Sequence, residues 1–513
     1  MIHLTRFYLI FLCLLSLCII QAQQTFVKSF KTYNDPFEFG NTVLIDGENI
    51  YIAARGNCLS NGCAITIQLD NQGSVSWTKK DSITYGGNNN SILCSNDTII
   101  LGSFETWANI ERKFHLIMSD KNYGKDIKSF EYNFDTLSIN GVNSEGIIKY
   151  QNQYLIYGEY RNFGGIASGL IQWASLDGTP IRTTTYRLEG NKTVNALQDL
   201  QEDGYGNLVF VTVYIDQNFD NSSVIRKLDR NGKIINDVYI TKDNSLEPRP
   251  QLCVNKNKQY VFSHSIDDLP EFIGDVQQIV CTDTSGSIIW VHNYPWKIIG
   301  QQPINWSNNY KIRQITATSD GGVIVTATIR TNRIQNRFYD DAYVGKFDSF
   351  GTLEWERRIN ILDDRDTLYD YCALYDIKER PDGLGYIAVG SHTPSDSLQT
   401  TNILLVSLDR DGCIEGLTCD DNHLVVSTED IVDVTAHHDQ PKINPNPFTD
   451  ILNVESGGSK RIRIFDINGN IIVDQKTALG ITSFETTTWN TGMYIVNLIS
   501  SNGNMKSYKI VKK

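Results

Sequence analysis

The sequence predicts an all-β chain: a seven-bladed β-propeller followed by a small immunoglobulin-like β-sandwich. Three observations predict it. A β-rich run ending in Asp, with Gly shortly after, recurs seven times between residues 63 and 412. Further alternating runs accompany the copies at a steady spacing. The last copy lacks its final run, while a spare one, Thr25–Phe30, stands near the start.

The Asp-ended runs are Cys63–Asp70, Lys113–Asp120, Ser168–Asp177, Ser222–Asp229, Val276–Asp283, Asp341–Asp348 and Asn402–Asp409. Gly73, Gly124, Gly178, Gly232, Gly286, Gly351 and Gly412 follow them. In such turns the Asp side chain binds its own backbone and Gly supplies the positive φ. Upstream lie Glu48–Arg55, Asp97–Phe104, Gln153–Tyr160, Gly206–Tyr214, Lys258–Ser265, Gly321–Ile329 and Gly385–His392. Their alternation of apolar and polar residues is that of strands. Earlier runs such as Asn41–Ile45 and Cys372–Ile377 supply a first strand, and Ser74–Thr78 or Thr352–Arg357 a fourth. Four strands in a long-period repeat make a propeller. If Thr25–Phe30 completes the last blade, no sheet edge is left open there. The expected divisions are a signal peptide at 1–22, a propeller at 23–419 with 24–33 completing its last blade, a polar linker at 420–442, and the sandwich at 443–513.

At the start, Arg6 precedes the apolar run Phe7–Ile20, and Ala22 follows. That is the layout of a secretory signal, cleaved after Ala22. Leu15-Ser16-Leu17-Cys18 is the competing lipoprotein-like reading, with Leu17 where a small residue is usual. The run is short for a membrane span, so no transmembrane segment is expected once it is removed.

The net charge is −13, and the last seventy residues carry an excess of Lys and Arg, so the middle is strongly acidic. An acidic surface excludes nucleic acid as a partner, because phosphates need a basic footprint. In an exported chain the close pairs Cys58/Cys63 and Cys413/Cys419 read as local disulfides. Cys94, Cys253, Cys281 and Cys372 fall in expected strands as buried thiols. No Cys/His spacing fits a metal, and no motif asks for a cofactor. The signatures of zinc proteases, serine hydrolases and nucleotide-binding loops are missing.

The end begins Pro445-Asn446-Pro447 and holds the turn Asp466–Gly469, then Gly492-Met493-Tyr494, then a basic strand ending Lys512-Lys513. These pieces closely resemble the type A C-terminal sorting domain of the Bacteroidetes type IX secretion system. The resemblance implies the type IX secretion machinery as partner and passage through periplasm and outer membrane. It also implies removal of this domain, then surface attachment or release. The propeller repeats resemble the Asp-Gly-Gly-type repeats of secreted bacterial proteins, as at Asp320-Gly321-Gly322. That resemblance implies a scaffold.

Connections after the first and third strands are short, and those after the second are long. Function concentrates on long loops held by a rigid frame. The richest stretch holds Tyr294, Trp296, Trp306 and Tyr310, and the adjoining Arg330–Asp341 loop adds Arg333, Arg337, Tyr339 and Asp341. Aromatic faces beside Arg and Asp suit a glycan or an extracellular protein. The same aromatics would equally plug gaps between blades. A polysaccharide hydrolase or lyase, or a purely structural adhesion component, is the alternative on the same scaffold.

Overall fold

The computed structural model describes residues 25–513 except 34–36, 57–62, 82–84, 87–90, 105–112, 135–138, 163–166, 187–196, 198, 216–220, 244–249, 267–275, 295–309, 335–336, 363–370, 395–399, 416, 418, 420–422, 428–441, 456–460, 477–480 and 500–504. The chain divides into two compact units, Met1–Val432 and Asp433–Lys513. Among the described residues all regular structure is β, and no helix is long and apolar enough to cross a membrane.

The first unit is a succession of antiparallel sheets, seven among the described residues. Sheet one is Glu38–Asp46, Asn49–Gly56, Cys63–Leu69 and Val75–Asp81. Sheet two is Ile92–Ser95, Thr98–Phe104, Lys113–Asp120 and Asp126–Asn133, with Tyr85–Gly86 at one end. Sheet three is Ile139–Tyr150, Gln153–Asn162, Ala167–Ser175 and Pro180–Tyr186. Sheet four is Leu200–Glu202, Leu208–Ile215, Asn221–Leu228 and Ile234–Asp243. Sheet five is Leu252–Val254, Tyr260–Ile266, Val276–Thr282 and Ile288–Tyr294. Sheet six is Tyr310–Ala317, Val323–Ile334, Arg337–Phe347 and Leu353–Leu362. Sheet seven is Tyr371–Glu379, Gly385–Thr393 and Asn402–Asp409, and its fourth strand is Phe26–Phe30 from the start of the chain. That strand runs antiparallel to Asn402–Asp409, from Phe26 opposite Ser407 to Phe30 opposite Ile403.

The cores lie between sheets. Tyr51 and Ala64 of sheet one meet Ile99 and Ile117 of sheet two. Phe114 and Leu116 meet Ile147 and Ile156. Leu155 and Trp173 meet Leu200 and Phe210. Val209 and Val211 meet Leu252 and Phe262. Ile279 meets Ile315 and Val325, and Val344 meets Leu374 and Ala388. Sheet seven then returns to sheet one. Asp376 accepts a hydrogen bond from Val43 N at 3.0 Å, and a Cβ on Gly40 would lie 2.2 Å from Val389 Cγ2. Similar staples join other neighbours: Asp199 accepts from Leu252 N at 3.1 Å, and Thr42 from Ser91 N at 3.4 Å.

The Asp–Gly turns carry a second inter-sheet contact. Asp229 Oδ1 accepts from Asn231 N and Lys233 N, both at 2.8 Å, which leaves Gly232 at the positive-φ corner. Each such Gly lies against a side chain of the preceding sheet. Trp77 covers Gly124, Phe130 covers Gly178, Trp173 covers Gly232, Val238 covers Gly286, Trp290 covers Gly351 and Trp355 covers Gly412. Phe26, from the N-terminal strand, covers Gly73 of sheet one. In the third copy the anchor is Ser175, not Asp177. Gly178 N donates to Ser175 O, and Asp177 instead accepts from Ser175 Oγ.

Two stretches differ from the sequence expectation. The Arg330–Asp341 loop is a continuation of the hairpin in sheet six, with Arg330 opposite Asp340 and Ile334 opposite Arg337. A register shift between Arg330 and Asn332 lets the ladder resume beyond the body of the sheet. Within the stretch expected as linker, His423–Ser427 pairs in parallel with Leu353–Leu362 and makes a fifth strand of sheet six.

Cys413 and Cys419 form a disulfide with Cα atoms 5.5 Å apart. Arg357 holds this loop. Its guanidinium donates to Asp411 O at 2.8 Å and to Gly412 O at 3.1 Å, and lies 3.3 Å from Cys419 Sγ. Cys63 is disulfide-bonded, while Cys58 lies outside the described residues. Cys94, Cys253, Cys281 and Cys372 are thiols within or beside the cores.

The second unit has a three-stranded sheet, Lys442–Asn444, Ile451–Glu455 and Ile481–Glu485. Its four-stranded sheet is Ile471–Lys476, Arg461–Asp466, Gly492–Ile499 and Met505–Lys512, in that spatial order. Leu452, Val454, Ile462, Ile464, Val496 and Ile510 fill the core.

Candidate functional site

In the first unit the described members of the expected site lie in sheets five and six. Tyr294 ends its strand and is buried between sheets five and six, with His292 at 4.9 Å and Tyr343 at 5.6 Å between ring centroids. It fills core. Asp341 is also buried and accepts from Asn360 Nδ2 at 2.8 Å. Trp296 and Trp306 lie outside the described residues. Tyr310, Arg333, Arg337 and Tyr339 stand in the strands of sheet six.

A cluster that the sequence did not single out lies where sheets six and seven meet. Arg313 places its guanidinium 5.2 Å from the centre of the Tyr375 ring and donates to Thr328 Oγ1 at 3.1 Å. Tyr375 OH and Ser391 Oγ are 3.0 Å apart. Burial pushes the Tyr371 phenol up, Tyr375 and Asp340 add to this, and Arg313 pulls it back. A guanidinium stacked on a phenol can hydrogen-bond hydroxyls or a carboxylate. The sequence hid it because Arg313, Asp340 and Tyr375 come from three strands.

Two Ser–His pairs have the spacing of a nucleophile and its base. Ser29 Oγ lies 2.8 Å from His392 Nδ1, with Asn402 Nδ2 donating to Ser29 Oγ at 3.2 Å. Ser223 Oγ lies 2.7 Å from His264 Nδ1. All four residues of the pairs are buried. Burial pushes His264 down to about 4, so it is neutral at pH 7. A nucleophile must reach its substrate, and these pairs join strands instead. Among the described residues no His, Cys, Asp and Glu cluster could hold a metal ion.

In the second unit the motif residues do converge. Asn446 clips the last strand: its Nδ2 donates to Lys509 O at 3.2 Å and its Oδ1 accepts from Val511 N at 3.0 Å. Beside it, Phe448 N donates to Val511 O at 2.9 Å and Lys513 N to Phe448 O at 3.0 Å. Pro445 and Pro447 flank the clip, donate no backbone hydrogen bond, and fix φ. The 446–447 peptide bond is cis. Phe448 is buried against Trp489 at 5.9 Å and Tyr494 at 6.1 Å, and Tyr494 OH donates to Asn490 O at 2.7 Å. Gly492 stands opposite Lys512 at the end of the sheet. Lys512 is turned inward and donates to Thr486 O, whereas Lys513 is exposed. The Pro-Asn-Pro segment and the Lys-Lys end are therefore one structural unit.

Residues 442–513 match the family described as secretion system C-terminal sorting domain. The match marks the chain for export by the type IX machinery, to the cell surface or the medium. It spans the second unit's sheets and stops short of the first unit. No curated protein matches the chain. Among solved structures it is similar to the quinohemoprotein alcohol dehydrogenase from Comamonas testosteroni, at 10% identity and a TM-score of 0.42, covering 90% of this chain and 76% of that one. It is also similar to the β-propeller domain of the Trilobed protease from Pyrococcus furiosus, at 8% identity and a TM-score of 0.31, covering 72% and 94%. The acylaminoacyl peptidase of Pyrococcus horikoshii gives 8% identity and a TM-score of 0.40, covering 83% and 59%. These TM-scores all lie below 0.5, so the reading of the fold rests on the sheets themselves.

Proposed function

We propose that the chain is a secreted Bacteroidetes binding protein: a signal peptide at 1–22, a seven-bladed β-propeller of Asp-Gly-Gly-type repeats, and a cleavable immunoglobulin-like sorting domain. The propeller recognises a glycan or an extracellular protein through its long-loop face. The observation that carries the binding reading is the Arg313–Tyr375 stack at the junction of sheets six and seven, with Tyr371 within electrostatic reach of both Arg313 and Asp340. Tyr310 begins the strand that carries Arg313, and Trp306 lies just before it in the chain. In the chain, the strand of the cluster thus follows directly on the stretch expected to recognise a ligand. The inter-sheet contacts, which lead from sheet one round to sheet seven and back, support the closed propeller.

The test is a glycan and polysaccharide array with residues 23–432, folded and oxidised. Saturable binding without turnover, lost in Trp296→Ala plus Trp306→Ala and weakened in Arg313→Ala, is the expected result. Turnover of a bound polysaccharide would replace binding with hydrolysis or lysis. A blank array would move the partner from glycan to protein.

A further inference from the structure

Sheet five ends in an outer edge unlike those of its neighbours. The last strand of a sheet exposes backbone groups that another strand can pair, and proteins guard such edges with charge, with proline or with a cover. The other outer strands are guarded. Val75–Asp81 carries Lys80, Asp126–Asn133 carries Lys128, Pro180–Tyr186 begins with Pro180, and Ile234–Asp243 carries Asp237. In sheet six His423–Ser427 covers Leu353–Leu362, and in sheet seven Phe26–Phe30 is buried along its length. The outer strand of sheet five, Ile288–Tyr294, contains no Lys, Arg, Asp, Glu or Pro. Among the described residues it pairs only with Val276–Thr282. Ile288, Ile289 and Val291 are 51%, 47% and 42% exposed. A register shift opposite Cys281 and Thr282 takes Ile289 out of the ladder, so two successive isoleucines meet solvent. From Trp290 to Tyr294 the ladder is regular.

We propose that two copies of the chain pair through this strand, antiparallel about a twofold axis, so that their fifth sheets continue into one another. The lack of charge selects a second copy as the occupant. In a twofold pairing a strand meets itself, so a charged residue faces its own kind, and like charges set opposite each other destabilise a sheet. A strand with Lys79 and Lys80 would bear that cost. Ile288–Tyr294 bears none, and Ile288, Ile289 and Val291 leave water against their own counterparts. Sheet six gives the precedent within the same unit, because its outer edge already accepts a further strand. The inference stands apart from what the first unit recognises, since it uses none of the residues of the Arg313–Tyr375 cluster.

The experiment follows the mass of the chain from Gln23 to Lys513 by sedimentation across a wide range of concentration, with amide exchange measured on the same samples. The expected result is a monomer that becomes a dimer on concentration, while exchange at residues 288–294 slows in step. Ile289→Lys with Val291→Lys is expected to weaken the dimer about tenfold, because it sets like charges opposite each other across the axis. Both side chains are exposed, so the thermal midpoint of the dilute variant should match the wild type. Ile289→Thr with Val291→Thr keeps the strand propensity, removes the apolar contact and should weaken the dimer in the same direction. A dimer that neither pair of substitutions weakens would overturn the inference. So would a dimer whose formation leaves exchange at 288–294 unchanged, because its interface would lie elsewhere. A wild-type chain that stays monomeric at every concentration would also overturn it, and would leave the edge to a strand of another protein.

Discussion

The Trp77 indole closes on Gly124 of the next sheet. A Cβ on Gly124 would stand 2.6 Å from Trp77 Cε3, and Trp77 Nε1 donates to Lys121 O at 2.9 Å. One aromatic side chain thus caps the neighbouring turn and seals the seam between two cores. Trp355 does the same at Gly412, donating to Arg410 O at 3.2 Å. The seams hold the first unit together, because most apolar burial lies between sheets.

Gly124→Ala is therefore expected to cost more than a turn glycine alone would. Its φ is +65°, so a side chain pays a left-handed penalty of about 1–2 kcal/mol. The clash with Trp77 adds overpacking of about 1–3 kcal/mol. Gly47→Ala shares the positive φ of +61° but has nothing within 4 Å of the added Cβ. Denaturant unfolding of the two variants isolates the indole contact as their difference. Equal losses would remove the seam from the account.

Acid should weaken the first unit through His264. Its folded pKa is depressed to about 4, against an ordinary 6.5, because burial disfavours the imidazolium. Between these values the unfolded chain binds a proton that the folded chain refuses. The stability is thus complete above about pH 6.5 and is lost as pH falls towards 4, by up to about 3 kcal/mol. Urea unfolding across this range checks it, with His264→Gln as reference. The variant should show a shallower fall, and an unchanged slope would contradict the assignment.

Asn446→Ala removes both side-chain bonds to the last strand and leaves Val511 N without its acceptor. A loss of about 1–3 kcal/mol in the second unit is expected. Amide exchange at Val511 should quicken more than at Tyr494 or Val496, whose strand pairing is untouched. Uniform acceleration across the sheet would mean that Asn446 supports the whole domain rather than the clip.

Removing Thr25–Phe30 opens the edge of Asn402–Asp409 and uncovers Gly73. Unpaired edges recruit other strands. The shortened chain should unfold at a lower temperature and associate at high concentration, as light scattering would show. A monomer with an unchanged midpoint would separate this strand from closure.

The repeat was legible because Asp, Gly and alternation act within a few residues, where spacing records geometry. The spare strand was legible for the same reason: the last copy visibly lacked one. Contacts between repeats were not. Nothing in the run Asp70–Trp77 says that Trp77 will lie on Gly124, because the two belong to different copies. Arg330–Asp341 read as a loop from its charges, yet backbone pairing extends a hairpin whatever its polar side chains. Ser175 and Asp177 are both turn formers, and only the hydrogen bond from Gly178 N decides between them. In the candidate site, Tyr294 carries the aromatic ring that recognition wants, and the same ring fills the core. Arg313 and Tyr375 lie far apart in the chain, and the meeting of sheets six and seven brings them together.

The most direct test of the account compares the full chain with a chain ending at Val432, both expressed in type IX-competent cells and fractionated. The account predicts the full chain at the surface or in the medium and the shortened chain held in the periplasm, with its first unit folded. Equal export of both would contradict it, because residues 442–513 would then carry no address.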